Sequence, residues 1–280
     1  MVERVGIVHP GAMGVFVAAS IAQSGYDMCW ASKGRSVDTV KRAEQFQLRD
    51  VGALVDLCQH CEVVVSVCPP HAALEMAEQV VKCAYQGIYL DANAISPHKV
   101  QTIGELMRIA GISFVDGGII GGPDWQNGRT RMYLSGKSAE KLQQLFLGSL
   151  LQVDVLDGDV GQASALKMCY AAYTKGTSAL LAGIFALAEN YQVKNELAAR
   201  WEEDWPGLYA ASQDRIRKSA LKAWRFEGEM REISETFAAA GLPEGFHQAA
   251  SQIFARLGEY KNVSELPDFE PIIKKILSSN

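Results

Sequence analysis

Val5-Gly6-Ile7-Val8-His9-Pro10-Gly11-Ala12-Met13-Gly14 is the stretch on which the fold turns. The β-branched run Val5 to Val8 predicts a buried strand. A glycine turn follows at once, and Gly11 to Ser24 then places Phe16, Ala19, Ile21 and Ala22 at helical spacing before Gly25 stops the segment. Strand, glycine turn and helix start, in that order, bring backbone N–H groups close to a pyrophosphate at the favourable end of a helix dipole. A tight turn without a ligand is the plainer alternative. Histidine stands at position 9, where a GxGxxG turn has its first glycine.

Outward from this turn, short apolar runs alternate with helical segments. Asp27 to Ala31 predicts a second strand, Ser36 to Phe46 a helix, and Val63-Val64-Val65-Ser66-Val67 a strand buried on both faces. Ile88 to Asp91 and Ile112 to Asp116 follow, each ending on an aspartate, and Arg131 to Ser135 and Gln152 to Val155 add edge strands. The pattern predicts an α/β fold, a Rossmann-type doubly wound parallel sheet over residues 1–157. Ligands of such sheets bind beyond the carboxyl ends of the strands. That rule sets Pro10 to Gly14, Cys68 to Pro70, Asn93 and Gly117 to Pro123 on one rim. Beyond Gly158 no strand-like run remains, which predicts an all-α C-terminal domain over 158–280. Its first segment, Val160 to Tyr191, holds no proline. It reads as one helix of roughly 45 Å, or two broken near Gly176 or Gly183. Such a length suits a homodimer contact.

Composition narrows the function classes. Of 280 residues 48% are apolar and 21% charged, as in a globular protein. A net charge of −5, without a basic run, speaks against nucleic acid as a partner. The chain opens directly on a strand rather than a signal peptide, and its most apolar later stretch, Ala179 to Ala188, is too short to span a bilayer. A cytoplasmic protein without a membrane partner is expected. Cys58-Gln59-His60-Cys61 has the spacing of a zinc or redox pair, but no second ligand pair accompanies it. No metal site is expected, and the thiols read as small apolar residues.

After the second strand an acidic residue would hold the ribose hydroxyls of NAD. Here Ser32, Lys33 and Arg35 supply hydroxyl and cations instead. That set suits a 2′-phosphate and favours NADP, with NAD still possible; a solvated loop is the alternative. Gly161-Gln162-Ala163-Ser164-Ala165-Leu166-Lys167 sets a lysine behind small and apolar residues early in the long helix. Desolvation there would suit acid/base work. On its own the pattern reads more readily as a surface lysine.

Together these stretches resemble the β-hydroxyacid dehydrogenase superfamily, which includes 3-hydroxyisobutyrate and 6-phosphogluconate dehydrogenases. Gly11-Ala12-Met13-Gly14 matches its Gly-x-Met-Gly turn, and Asp116-Gly117-Gly118-Ile119-Ile120-Gly121-Gly122 its substrate segment, usually Asp-Ala-Pro-Val-Ser-Gly-Gly. Gly161 with Lys167 matches its Gly-x5-Lys helix, and Asp91-Ala92-Asn93 stands where the family has Asp-x-Ser/Thr near the nicotinamide. The resemblance implies hydride transfer between NADP(H) and a small hydroxy acid or related alcohol or carbonyl compound, with Lys167 as general acid/base. It also implies cofactor contacts from Gly11, Ala12, Met13, Gly14, Ser32, Lys33, Arg35, Val67, Cys68, Pro69 and Asn93. Substrate contacts are expected from Asn93, Gly121 and Gly122.

The chain departs from the family pattern in places. Ile120 replaces the segment's serine, Ala171 replaces an asparagine four residues after the lysine, and the usual Lys-Asp pair of the C-terminal domain is not evident. Helical spacing from Lys167 adds Tyr170 and Thr174 as substrate contacts, with helix packing as their other reading. Arg225 has two readings of equal weight, a bidentate clamp for a substrate carboxylate or a surface ion pair with Glu229 at i+4. Two other functions compete: an imine reductase, whose relatives usually carry Asp or Tyr in place of the lysine, and a dinucleotide-binding sensor or scaffold without catalysis.

Overall fold

The computed structural model describes residues 2–278. Contacts divide the chain into two compact units, Met1–Lys167 and Met168–Asn280. In the first, β1 (Arg4–Ile7), α1 (Ala12–Gln23), β2 (Asp27–Trp30), α2 (Val37–Gln45), β3 (Arg49–Asp50), α3 (Leu54–His60) and β4 (Val63–Ser66) form the first half of the sheet. The second half comprises α4 (Ala73–Lys82), β5 (Ile88–Asp91), α5 (Pro97–Ile109), β6 (Ser113–Ile120), β7 (Arg131–Ser135), α6 (Ala139–Gln143) and β8 (Gln152–Val155). The strand order is β3-β2-β1-β4-β5-β6-β7-β8. All are parallel through β6; β7 then runs antiparallel to β6, and β8 parallel to β7.

Strand periodicity explains the layering. Val63 and Val65 join Val5, Ile7, Phe16 and Leu90 in one apolar layer, while Val64 joins Val8, Leu57, Ala77 and Tyr89 in the other. Every residue of β4 is buried, each valine contributing about 1.5–3 kcal/mol over an exposed one. Ser36 starts α2 by accepting the Thr39 amide.

One expectation is corrected here. Gly117 to Ile120 were expected in a rim loop, yet they extend β6 and pair with β7, Gly117 with Leu134 and Gly118 with Tyr133. A Cβ at Gly118 would collide with the Ala163 main-chain carbonyl, so the glycine lets a helix lie directly on the strand. The rim loop proper begins at Gly121.

The helix that lies there is α7 (Gln162–Asn190), 29 residues long and unbroken at both Gly176 and Gly183. It passes from the first unit into the second. The second unit continues with α8 (Lys194–Asp204), α9 (Leu208–Ala220), α10 (Ala223–Ala239), α11 (Gly245–Ala255) and α12 (Phe269–Leu277). Its core gathers Met168, Phe185, Ile216, Met230, Ile233, Phe254 and Ile272, and no strand occurs among its described residues. No described helix is long and apolar enough to cross a membrane.

Candidate active site

The strand order reverses between β1 and β4, the switch point where doubly wound sheets open a crevice. The turn after β1 borders it. The Gly11 amide donates to the His9 carbonyl at 2.8 Å and opens α1, whose first amides have no intrahelical acceptor. A Cβ at Gly14 would overlap the His9 carbonyl oxygen, so this approach admits only glycine.

Two arginines converge on the same turn. A backbone bond from the Arg35 amide to the Ser32 carbonyl, at 3.0 Å, closes the Ser32-Lys33-Gly34-Arg35 loop. Arg35 Nη1 lies 3.1 Å from His9 Nδ1, and Arg42 Nη1 donates to the Pro10 carbonyl at 3.2 Å. Arg35 Nε is buried with no hydrogen-bond partner among the described residues. Burial, then the charges of Arg35 and Arg42, hold the His9 imidazole below its ordinary pKa. Ser32 is half-buried in this loop and Lys33 is exposed. Sequence reasoning missed Arg42, whose only signal is an inward position in the amphipathic α2.

Past β4 and β5 the rim is knitted together by Asn93. Its Oδ1 accepts the Cys68 amide at 2.6 Å, and its Nδ2 donates to Ser66 Oγ at 3.2 Å and Asp91 Oδ2 at 2.9 Å. Its amide donates to Asp91 Oδ1 at 3.0 Å. The side chain expected to contact ligands is therefore engaged in joining two strand ends. Its carbonyl accepts Lys167 Nζ at 3.3 Å. Burial raises the Asp91 carboxyl to about 7, the neighbouring Asp116 charge adding to the effect and Lys167 and the Asn93 donors opposing it. Val67 is half-buried, Pro69 exposed, and burial pushes the Cys68 thiol up to about 11.

The lysine's helix has its own anchor. Asp116, opposite Asp91 in the β5–β6 register, accepts the amides of Gly161 and Ser164 through Oδ2, both at 3.0 Å. It also accepts Ser135 Oγ at 3.1 Å and, through Oδ1, Ser164 Oγ at 2.6 Å. Burial raises its pKa while these donors oppose the rise. One aspartate thus holds the start of α7, and the other holds the residue on which the lysine's ammonium rests. Both aspartates were visible in the sequence, each read as a strand end, but nothing there joined Asp91 to Asn93 or Asp116 to the start of α7.

Gly121 and Gly122 open the β6–β7 loop. Thr130 Oγ1 donates to the Gly122 carbonyl, and Asp124 accepts the amides of Gln126, Asn127 and Arg129. Trp125 stacks on Phe46 with ring centroids 4.8 Å apart and meets Phe16 edge-on at 5.0 Å, tying the loop to α1 and the end of α2.

In the second unit, Thr174 Oγ1 donates to the Tyr170 carbonyl at 3.1 Å, and Tyr170 itself is exposed. Arg225 pairs with Glu229 at 3.0 Å, and Lys175 binds the same carboxylate. Of the two roles left open for Arg225, the ion pair is therefore formed; a substrate carboxylate would have to compete with Glu229. Cys58 is buried with its thiol pushed up to about 12, and no cluster of metal-ligating side chains occurs among the described residues.

Residues 4–146 match the family described as the NAD binding domain of 6-phosphogluconate dehydrogenase. The chain belongs to that family. Residues 188–257 match a domain of unknown function, DUF1932. An uncharacterised 28.5 kDa protein of Methanothermus fervidus is 34% identical over 231 residues, 81% of this chain and 88% of that one. A conserved protein of unknown function, noted for structural similarity with 3-hydroxyacid dehydrogenases, superposes with a TM-score of 0.70 at 27% identity. That match covers 92% of this chain and 98% of its counterpart. The 3-hydroxyisobutyrate dehydrogenase of Mycobacterium tuberculosis, solved with L-serine, shares the fold at a TM-score of 0.72 and 15% identity, covering 99% and 100% of the two chains. The residues on the rim fit a dinucleotide of this family: a turn whose Gly14 has no room for a Cβ, an open helix start, and a buried arginine nitrogen without a partner among the described residues.

Proposed function

We propose that this chain is an NADP(H)-dependent oxidoreductase that interconverts a small hydroxy acid, or a related alcohol, and its carbonyl partner, with Lys167 as general acid/base. The observation that carries the reading is the Lys167 ammonium held 3.3 Å from the Asn93 carbonyl, on the rim that also carries the dinucleotide turn. The nicotinamide, when bound, supplies the hydride chemistry.

The protein's part is binding and proton handling. Gly11, Ala12, Met13 and Gly14 would receive the pyrophosphate, and Ser32, Lys33, Arg35 and Arg42 the ribose phosphate. Val67, Cys68 and Pro69 would flank the nicotinamide, with Asn93 holding their loop. A neutral Lys167 amine has two N–H groups and one lone pair. One N–H stays on the Asn93 carbonyl, which turns the lone pair toward a substrate hydroxyl. In oxidation Nζ takes the hydroxyl proton; in reduction it returns the proton to the nascent alkoxide. The amides of Gly121 and Gly122, on a loop braced by Asp124 and Trp125, would bind a substrate carboxylate. Tyr170 and Thr174 continue the lysine's helix as further contacts.

Leu166, Tyr170, Tyr173, Leu180, Leu187 and Tyr191 are exposed along one face of α7, which supports the expected homodimer. All six cysteines are free, which suits a reducing, cytoplasmic setting.

The test is oxidation of NADPH and NADH, and reduction of NADP and NAD, against hydroxy acids, ketoacids, aldehydes and imines, with Lys167→Ala alongside. Turnover of an alcohol–carbonyl pair that falls about a hundredfold in the variant supports the reading. Turnover confined to imines, or indifferent to Lys167, sinks it. Cofactor binding without any turnover would favour a sensor.

A further inference from the structure

His9 is a titratable side chain in the turn that the dinucleotide reading does not use, and it occupies a position where such turns have glycine. Arg35 Nη1 approaches its Nδ1 at 3.1 Å, and Arg42 Nη1 donates to the adjoining Pro10 carbonyl at 3.2 Å. A guanidinium has only N–H donors. The Arg35 contact therefore requires Nδ1 to accept, which keeps the imidazole neutral with its proton on Nε2.

We propose that His9 is the proton-linked member of a ribose-phosphate site shared with Arg35 and Arg42. A phosphate monoester draws Arg35 off His9, and the vacated Nδ1 takes a proton from solvent. The inference rests on the dinucleotide reading and deepens it by adding a regulated step to cofactor choice.

The argument is one of competing partners. Arg35 can give the same N–H either to His9 or to a phosphate oxygen. Phosphate is the stronger acceptor because the bond is charge-assisted at both ends. Arg35 Nε, buried and without a partner among the described residues, gains one at the same time. The groups facing His9 are Arg35, from the loop after β2, and Arg42, from α2; Cys68, at the end of β4, faces Arg35. Both cations disfavour a third charge while the site holds no anion, and burial acts in the same direction. A dianion reverses the balance by neutralising both arginines, and a protonated His9 then adds a third donor. A dinucleotide without the ribose phosphate leaves Arg35 on His9, and no proton moves.

The experiment is calorimetric titration of the full chain with NADP+ and, separately, NAD+. Each is run between pH 6 and 8 in two buffers of different ionisation enthalpy, with wild type beside His9→Asn; His9→Gln serves if the first variant does not fold. Wild type is expected to take up a fraction of a proton with NADP+ and none with NAD+. Its preference for NADP+ should weaken about tenfold from pH 6 to 8, the change expected for uptake of about half a proton, where a full proton would give about tenfold per pH unit. In the variant the uptake disappears, leaving only the phosphate's own titration. The His9 ring resonances, followed by NMR, should titrate at higher pH with NADP+ than with NAD+. Three outcomes overturn the proposal: NADP+ binding without proton uptake, uptake that survives in the variant, or equal uptake with NAD+, which would trace it to the pyrophosphate. Failure of both dinucleotides to bind would overturn the oxidoreductase reading itself, and this proposal with it.

Discussion

Two ends of the same rim solve opposite electrostatic problems. At the β1 end, Arg35 and Arg42 crowd one turn with no carboxylate among the described residues paired with them, and Arg35 Nη1 lies 3.1 Å from His9 Nδ1. At the β5–β6 end, two buried carboxylates brace the segments that hold Lys167, Asp91 through Asn93, whose carbonyl accepts its Nζ, and Asp116 through the start of α7. The first end is short of negative charge, as a site for an anionic ligand should be. The second is braced from within the chain, with the Asn93, Gly161 and Ser164 amides each meeting an aspartate, the preorganisation that a reaction centre would need. A binding subsite can leave its charge unpaired because the ligand brings the partner. A proton-transfer group cannot, because its position must be set before the substrate arrives.

The contrast is broken most severely at its internally satisfied end. Asp116→Ala strands the Gly161 and Ser164 amides and two serine hydroxyls in a buried place. Urea denaturation should record a loss on the order of 4 kcal/mol; a change under 1 kcal/mol would mean the clamp does not hold α7. Next in size, Lys167→Ala should lower turnover about a hundredfold while leaving the affinity for NADP+ within about twofold, which separates proton transfer from cofactor capture.

Arg42→Gln probes the charge-poor end. It should weaken NADP+ binding about tenfold, the roughly 1.4 kcal/mol expected for a charge-assisted bond, with NAD+ nearly unaffected and folding stability unchanged. Equal loss for both dinucleotides would move Arg42 to the pyrophosphate. The smallest effect is a pH dependence of stability. Asp91 titrates near 7 in the folded chain against about 3.9 unfolded. The folded state thus binds more protons between those values, so stability falls as pH rises from about 4 to about 7 and levels off above it. Wild type should lose about 1 kcal/mol between pH 6 and 8, a loss absent from Asp91→Asn.

Strands and turn were legible because their signals are local. The valine run of β4 can only be a buried strand, and Gly11 and Gly14 are intelligible from the two elements they join. Lys167 was singled out only through resemblance, since a lysine after small residues has no distinctive local signature. Three features lay outside local reading. β6 runs on through Gly117 and Gly118 because α7 needs room there, a contact between residues 45 positions apart in the case of Asp116 and Gly161. Arg42 reaches the turn across 32 positions. Asn93, expected as a ligand contact, is an internal brace, because its partners Cys68, Ser66 and Asp91 come from different strand ends. In each case the missing information was which strand lies next to which.

The unbroken course of α7 constrains how this chain can vary. Residues along a helix advance by about 100° each, so one residue inserted after Lys167 would swing Tyr170, Thr174 and the apolar face beyond them a quarter turn or more around the axis. A loop absorbs such a change; a continuous rod transmits it along its whole length. Relatives that keep this arrangement should therefore differ freely in the length of the Gly121–Thr130 loop or of the segment between α11 and α12, while the number of residues from Gly161 to the end of α7 stays the same.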